Sequence, residues 1–152
     1  MKSYIFPVLL IILSITGCDQ AKSVVSGRDL EFVKNGVLEL DKSLTVGQAI
    51  DNYKYFKSTK WQALKTDNGR RVVSVAAVVD TAKHPNMNSI PNLKQMEMKF
   101  QFVINQDSTF KVGWCGLAME FNDGTKKEPD ESVNLIQCTN SLKAIYNNSP
   151  DI

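Results

Sequence analysis

His84 is the only histidine of the chain and the first residue to consider for catalysis. A histidine that acts as a general base needs a nucleophile beside it and hydrogen-bond donors that stabilise an oxyanion. His84 lies instead in a segment rich in proline and asparagine, and no G-x-S-x-G nucleophile motif is present. We therefore expect His84 to be a solvated loop side chain, and the sequence predicts no catalytic residue.

Carboxylate pairs are the second chemistry to consider, because two carboxyl groups can act as acid and base on a glycosidic bond. The candidates Asp80, Glu97, Glu120 and Asp123 fall beside turns or on the polar side of expected strands. The acidic stretch that follows Gly124 does not have the spacing of an EF-hand calcium loop, and two lysines interrupt it. We expect solvated carboxylates, no metal ion and no cofactor, so an enzyme is not predicted.

Cys18 follows a short N-terminal stretch that has the features of an export signal. Lys2 gives a charged start, Val8–Leu13 is apolar, and a small residue immediately precedes the cysteine. The run Ile15-Thr16-Gly17-Cys18 resembles the lipobox of bacterial lipoproteins. This resemblance implies that residues 1–17 are a signal peptide and that, after cleavage, Cys18 carries a diacylglyceryl thioether and an acylated amine.

A lipid on Cys18 would hold the protein to a membrane, since each buried methylene contributes about 0.8 kcal/mol and two or more acyl chains give stable anchoring. The apolar run before it is shorter than the roughly 20 residues of a membrane-spanning helix, and an uncleaved N-terminal anchor is the alternative. Asp19 resembles the residue that, in enteric bacteria, retains lipoproteins in the inner membrane. We therefore expect a lipid-anchored envelope protein that faces the periplasm, in the inner rather than the outer membrane.

Charge excludes one class of partner. Cleavage before Cys18 would remove Lys2 and no acidic residue, so the net charge of +2 would fall to +1. A balance so close to neutral gives no electrostatic reason to expect nucleic acid. Residues 54–71 have a local basic bias, which comes from Lys54, Lys57, Lys60, Lys65, Arg70 and Arg71. These cations either contact anionic lipid headgroups or belong to a solvated helix face.

Cys115 and Cys138 remain once Cys18 is assigned to the lipid. An even pair of cysteines in an exported protein is typical of a disulfide, and neither residue belongs to a C-x-x-C motif. The enclosed loop would contribute about 3 kcal/mol in the chain-entropy model. Two buried free thiols are the alternative. A disulfide here would join the last long strand to the closing helix, and we expect Trp114 to pack in the core against it; a Trp114 ring that faces a ligand or partner is the alternative.

The helices and strands that position these residues follow from the hydrophobic pattern. After a tether (residues 18–29), Leu30–Leu40 fits either a short hairpin or an extended lead-in. Thr45-Val46-Gly47-Gln48 has the form of a capping box, and apolar residues at helical spacing predict three turns that end near Lys57-Ser58. The final helix is predicted over Ser132–Asn147, because Pro150 bars its continuation.

Between the helices the pattern changes to strands. Asp67-Asn68-Gly69 is a strong hairpin signal, and the valine-rich run Arg71–Asp80 follows it. Gln95–Asn105 alternates between apolar and polar residues, and Thr109–Phe121 is the next strand. The sequence predicts a single α+β domain over residues 30–152. Its core is an antiparallel β-meander of three to four strands, packed with an N-terminal and a C-terminal helix on one face.

Three short motifs resemble a domain that recurs in small bacterial lipoproteins: Leu44–Asp51, Lys60-Trp61 and Arg71-Val72-Val73. The resemblance extends over residues 44–147. It implies a periplasmic or surface accessory module and supplies no catalytic residue. The valine-rich strand of that family often contains Phe-Thr-Gly, where this chain has Val75-Ala76-Ala77.

The sequence therefore predicts a non-enzymatic, lipid-anchored protein that binds or helps to assemble another envelope protein at the membrane surface. One alternative is an inhibitor of a hydrolase such as lysozyme, with Thr81–Leu93 or Thr125–Glu131 as the loop that fills the cleft. Another is the binding of a small ligand between helix and sheet, in a pocket lined by Tyr53, Trp61 and Met98.

Overall fold

The structure is a computed structural model that describes residues 27–87, 89–129 and 134–152. The predicted signal peptide, Cys18 and Asp19 lie outside the described residues. The described part contains three helices and five strands, in the order α1 (Gly27–Lys34), α2 (Val46–Asp51), β1 (Phe56–Lys65), β2 (Arg71–Val79), β3 (Leu93–Ile104), β4 (Phe110–Phe121), β5 (Lys126–Lys127) and α3 (Leu135–Tyr146). Within these residues, no helix is both long and apolar enough to cross a membrane.

The strands form one antiparallel sheet in the order β1-β2-β3-β4-β5. Gly69 closes the first hairpin with φ of 80°, a conformation that glycine adopts without steric cost. The predicted α+β meander is confirmed. The number of strands is five rather than three or four, because Lys126–Lys127 pairs with the end of β4 inside a segment expected to be a loop.

All three helices pack on the same side of the sheet, which we call the helix face. The alternation predicted for β3 is confirmed, since five of its apolar side chains point to this face and are buried: Met96, Met98, Phe100, Phe102 and Ile104. Val33 of α1, Ile50 of α2 and Leu142 of α3 pack into the same core. Complete burial of one such side chain contributes about 1.5–3 kcal/mol.

The first helix was not predicted. α1 occupies Gly27–Lys34, where the sequence suggested the end of a tether and then a hairpin or an extended segment. A helix of this length is marginal by itself, so tertiary contacts must stabilise it. Val33 is fully buried in the core, and the buried carboxylate of Asp29 lies 3.5 Å from the Arg71 guanidinium. The folded part of the chain therefore extends at least to Gly27.

The second helix begins as predicted and ends earlier. The Thr45 hydroxyl accepts a hydrogen bond from the Gln48 N–H, and the Gln48 side chain accepts one from the Thr45 N–H, which confirms the capping box. The prediction that the helix continues to Lys57-Ser58 is wrong, since α2 ends at Asp51. Tyr53 turns into the core, where its hydroxyl donates to the Ser149 carbonyl at 2.7 Å, and Phe56 already pairs with Val79.

Cys115 and Cys138 form a disulfide between β4 and α3, with their Cα atoms 5.6 Å apart. Both residues are buried on the helix face, and Cys115 pairs across the sheet with Phe100. The disulfide prediction agrees with this geometry, and the bond ties the closing helix to the centre of the sheet.

Replacing both residues, as Cys115→Ala with Cys138→Ala, should lower the free energy of unfolding by about 3 kcal/mol. The reason is that the unfolded chain regains the entropy of the enclosed loop. Urea denaturation followed by tryptophan fluorescence measures this loss. The wild-type protein under reducing conditions is the control, and equal stability of its oxidised and reduced forms would contradict a structural disulfide.

Candidate binding surface

We call the side of the sheet opposite the helices the open face, and its middle carries polar and small side chains. Toward the turn at Gly69 the aligned row Leu64–Val72–Val103–Lys111 is mostly apolar. The residues of the middle come from the four long strands: Lys60 and Gln62, Ser74 and Ala76, Glu97, Lys99 and Gln101, and Trp114, Gly116 and Ala118. Strand pairing aligns them in two rows, Gln62–Ser74–Gln101–Trp114 and Lys60–Ala76–Lys99–Gly116. The first row places three uncharged hydrogen-bonding side chains beside an aromatic ring.

Trp114 lies on the open face, so the expectation that it packs in the core against the disulfide is wrong. Successive side chains of a strand point to opposite faces, and Cys115 occupies the helix face. The register between β3 and β4 shifts at Gln101/Phe102, where Gly113 is the extra residue of a bulge. Trp114 is therefore half-buried and paired with Gln101 at the surface.

The indole of Trp114 lies along the sheet over Gly116. A side chain at Gly116 would overlap the Trp114 ring and the neighbouring Pro129. The missing side chain thus gives the ring room to lie flat and leaves one edge of it beside Pro129. Gly116 is in this way a positioning residue for Trp114.

Two shallow depressions adjoin the Trp114 ring. One, of about 340 Å³, has Ser74 and Ala76 on its floor, where small side chains leave space between longer neighbours. The other, of about 640 Å³, is bordered by Glu128 and Pro129. Lys99 and Gln101 line both depressions, so the two form one continuous polar surface around the ring.

The charges on this surface are mixed. The Lys99 ammonium lies 3.4 Å from the Glu97 carboxylate and 4.0 Å from that of Glu128. Such exposed pairs contribute little to stability, because water screens them. They are therefore available to exchange partners when another molecule covers the face, and Lys60 adds a second cation.

The candidate catalytic carboxylates are in ion pairs or turns. The hydrogen bond from the Lys83 side chain lowers the pKa of Asp80, and that from Lys94 lowers the pKa of Glu120. The backbone N–H of Thr125 lowers the pKa of Asp123. A general acid needs a raised pKa, so these three groups are set up as anions rather than as proton donors. Among the described residues, no group of three or more candidate metal-ligating side chains occurs.

Tyr53, Trp61 and Met98, expected to line any ligand pocket between helix and sheet, belong to the packed core or lie against it. The Trp61 indole N–H donates to the Asp51 carboxylate at 2.8 Å, and the Lys34 ammonium lies 2.8 Å from the same carboxylate. Burial by itself would raise the pKa of Asp51, but these hydrogen bonds outweigh burial and lower it. Trp61 is thereby fixed as a structural residue that joins β1 to α1 and α2.

The locally basic residues do not form a single patch. Lys54 and Lys57 lie at one end of β1, and Lys65 and Arg70 lie at the other, about 26 Å away at the usual rise per residue. Lys60 lies between them on the open face.

His84 is fully buried, so the expectation of a solvated loop histidine is wrong. Its ring packs against Tyr55 with the centroids 5.0 Å apart, and its Nδ1 accepts a hydrogen bond from the Asn86 N–H at 3.3 Å. Since Nδ1 accepts, the neutral ring carries its proton on Nε2. Burial lowers the pKa of His84, and the charge of Asp151 and the Pro150 backbone offset only part of this effect. His84 thus fixes the base of the Thr81–Leu93 loop.

No family model, no curated protein and no solved structure matches this chain.

Sequence reasoning missed most of the open face. The polar residues Glu97, Lys99 and Gln101 of β3 were visible as the wet side of an alternating strand. On β2, valines occupy both faces, so apolar and polar residues do not alternate in the sequence. On β4, the bulge at Gly113 reverses the order in which side chains alternate between the two faces. Only the strand register aligns Trp114 with Gln101, Ser74 and Gln62.

The buried histidine predicts a pH dependence. The folded state lowers the pKa of His84 below its unfolded value of about 6.5, so the unfolded chain binds the proton more readily. Stability should be complete above this value and should decrease as the pH falls from there toward the lower folded pKa. Urea denaturation at a series of pH values measures the loss. His84→Asn should remove this component, and an identical pH profile of the two proteins would contradict the assignment.

Proposed function

We propose that this chain is a non-enzymatic, lipid-anchored protein of the bacterial envelope, which binds another envelope protein across its open face. The observation that carries the proposal is the one-sided packing of the helices. They bury the helix face and leave four strands of half-exposed polar and small side chains around Trp114.

The shape of the open face favours a protein partner over a small molecule. Small-ligand sites are concave, mostly apolar and enclose their ligand. The open face is shallow, and its two depressions meet at Trp114 and Lys99. Tryptophan is enriched among the residues that dominate binding energy in protein interfaces, where polar residues surround it. Gln62, Gln101 and the mixed charges would form such a polar surround.

The proposed lipid on Cys18 supports the same function. Gly27, where α1 begins, is nine residues after Cys18, and at about 3.3–3.6 Å per residue this segment reaches at most about 32 Å. A domain held so close to the membrane meets partners there at a high effective concentration. Asp19 then favours the inner membrane.

Inhibition of a hydrolase such as lysozyme is a second candidate, supported by a single contact. The loop Thr81–Leu93 is fixed at its base by the buried His84 ring. A fixed loop loses less conformational entropy when it fills a cleft than a mobile loop does.

The anchor is tested by Cys18→Ser, which removes the proposed lipidation site. The wild-type chain should sediment with membranes and show the mass of a triacylated or diacylated N-terminus. The variant should be neither acylated nor retained after a salt wash. The double variant of Cys115 and Cys138 is the control, because it changes two cysteines and should leave acylation intact. Acylation of Cys18→Ser, or a wild-type chain without lipid, would reject the anchor.

The binding face is tested by photocrosslinking in living cells. A photoreactive amino acid at Gln62, an exposed residue of the open face, should give one dominant crosslinked protein that mass spectrometry identifies. Trp114→Ala should weaken that crosslink about thirtyfold or more, since truncation of a hot-spot residue costs about 2 kcal/mol or more and each 1.4 kcal/mol is about a factor of ten. A photoreactive residue at the exposed Lys143 of α3 is the control. Equal crosslinking from Gln62 and Lys143, or none from Gln62, would contradict the proposal.

A further inference from the structure

A third cavity lies at the end of the sheet that carries the two turns 66–70 and 105–109. We call this the hairpin end. The cavity adjoins the open face, because its lining residue Lys111 pairs with Val103, two residues beyond Gln101. The cavity has a volume of about 760 Å³ and lies between the two turns and the strand ends beside them. None of its lining residues is among those that we propose for contact with an envelope protein.

Among the described residues, the charged side chains that line this cavity are all basic: Arg70, Arg71 and Lys111. Between them lie uncharged side chains with donors and acceptors, among them Asn68, Asn105 and Gln106. Within the described part of the chain, no carboxylate belongs to the lining. An anion placed here would therefore meet positive charge from β4 and from the start of β2, with amide donors beside it.

Of the residues that the structure describes, three acidic ones lie near the cavity, and two of these have partners. The carboxylate of Asp29 is buried and faces the Arg71 guanidinium at 3.5 Å. The Asp107 carboxylate accepts hydrogen bonds from the N–H and the hydroxyl of Thr109, which lower its pKa. Asp67 lies on the first turn, next to Asn68. Within the described residues, Arg71 alone of the three lining cations forms an ion pair, so Arg70 and Lys111 are the cations whose charge is least compensated.

The walls of the cavity are held by local hydrogen bonds. In the first turn, the Arg70 N–H donates to the Thr66 hydroxyl at 3.1 Å and the Gly69 N–H donates to the Thr66 carbonyl at 2.8 Å. In the second turn, the Asn105 side-chain amide donates to the Thr109 hydroxyl at 2.8 Å. A ligand would therefore lose little affinity to the ordering of the backbone.

We propose that this cavity binds a phosphate group, with Arg70 and Lys111 as its principal ligands and Arg71 as a third, partly compensated cation. Guanidinium and ammonium donors form short, charge-assisted hydrogen bonds to phosphate oxygens. The volume accommodates a phosphate together with a small alcohol such as glycerol. The phosphate can belong to a lipid headgroup or to a free phosphate ester, and both present the same chemistry to the site.

The route of the chain makes the lipid headgroup accessible. Asp29, in the first turn of α1, contacts Arg71, so the chain joins the fold at the hairpin end. Binding of a lipid headgroup rests on the proposed anchor at Cys18, which would hold the hairpin end within reach of the membrane surface. The free-phosphate source does not depend on the anchor or on the open face.

The experiment uses the full chain in two settings. In non-ionic detergent micelles, calorimetry measures the binding of inorganic phosphate and of glycerol 3-phosphate. In lipid nanodiscs of phosphatidylcholine, with and without phosphatidylglycerol, NMR measures shifts of the Asn68 and Asn105 side-chain amides. The test variant is R70Q/K111Q, and the control K54Q/K57Q removes the same charge at the other end of β1. A third variant, R70K/K111R, keeps the charge at the site.

The site would be supported by saturable binding of a soluble phosphate or of phosphatidylglycerol nanodiscs to the wild-type chain. This binding should weaken about tenfold or more in R70Q/K111Q and should not change in K54Q/K57Q. R70K/K111R should regain most of the affinity, which shows that a loss in R70Q/K111Q does not come from misfolding. A response only in nanodiscs with phosphatidylglycerol assigns the site to a lipid headgroup, and a response only to the soluble esters assigns it to a free ligand. The site would be rejected by equal affinities of R70Q/K111Q and K54Q/K57Q, or by no saturable response to any probe. Crosslinking from Gln62 is independent of all these results.

Discussion

Phe100 and Phe102, near the middle of β3, are held out of water by side chains from all three helices, and the rest of the structure depends on this packing. α1 and α2 are too short to persist alone, so their apolar contacts with the sheet are what keep them helical. The disulfide adds a covalent constraint at the same place, because Cys115 pairs with Phe100 across the two strands.

The same packing decides what the opposite face can do. Side chains alternate along a strand, so burying Phe100 and Phe102 necessarily turns Lys99 and Gln101 toward solvent. The bulge at Gly113 extends this logic to β4, where it places Cys115 in the core and Trp114 on the surface. The burial of apolar side chains on the helix face therefore places Trp114, the amide side chains and the charged side chains together on the open face. This open face is the surface that we propose for a protein partner.

Much of the sheet could be predicted, since β3 alternates clearly and Asn68-Gly69 marks a turn by local chemistry. The helices were harder. The apolar stripe from Val46 to Phe56 fits a long helix, but Phe56 pairs with Val79, and sheet pairing prevailed over helical periodicity. α1 has no local signal comparable to the capping box of α2. The helix is stabilised instead through its one fully buried residue, Val33, which contacts core residues that are distant in sequence.

The sequence by itself indicated the three strands β2, β3 and β4, the hairpin turn, the capping box of α2 and the candidate pairing of two cysteines, because each depends on neighbouring residues or on residue type. It also supplied the lipobox-like run that ends at Cys18. Only the tertiary structure decided that His84 is buried, that Trp114 lies outside the core, and that Arg70 and Lys111 line one cavity. These facts depend on strand register and on contacts between distant segments, and no local pattern of residues encodes which distant segment will cover a side chain.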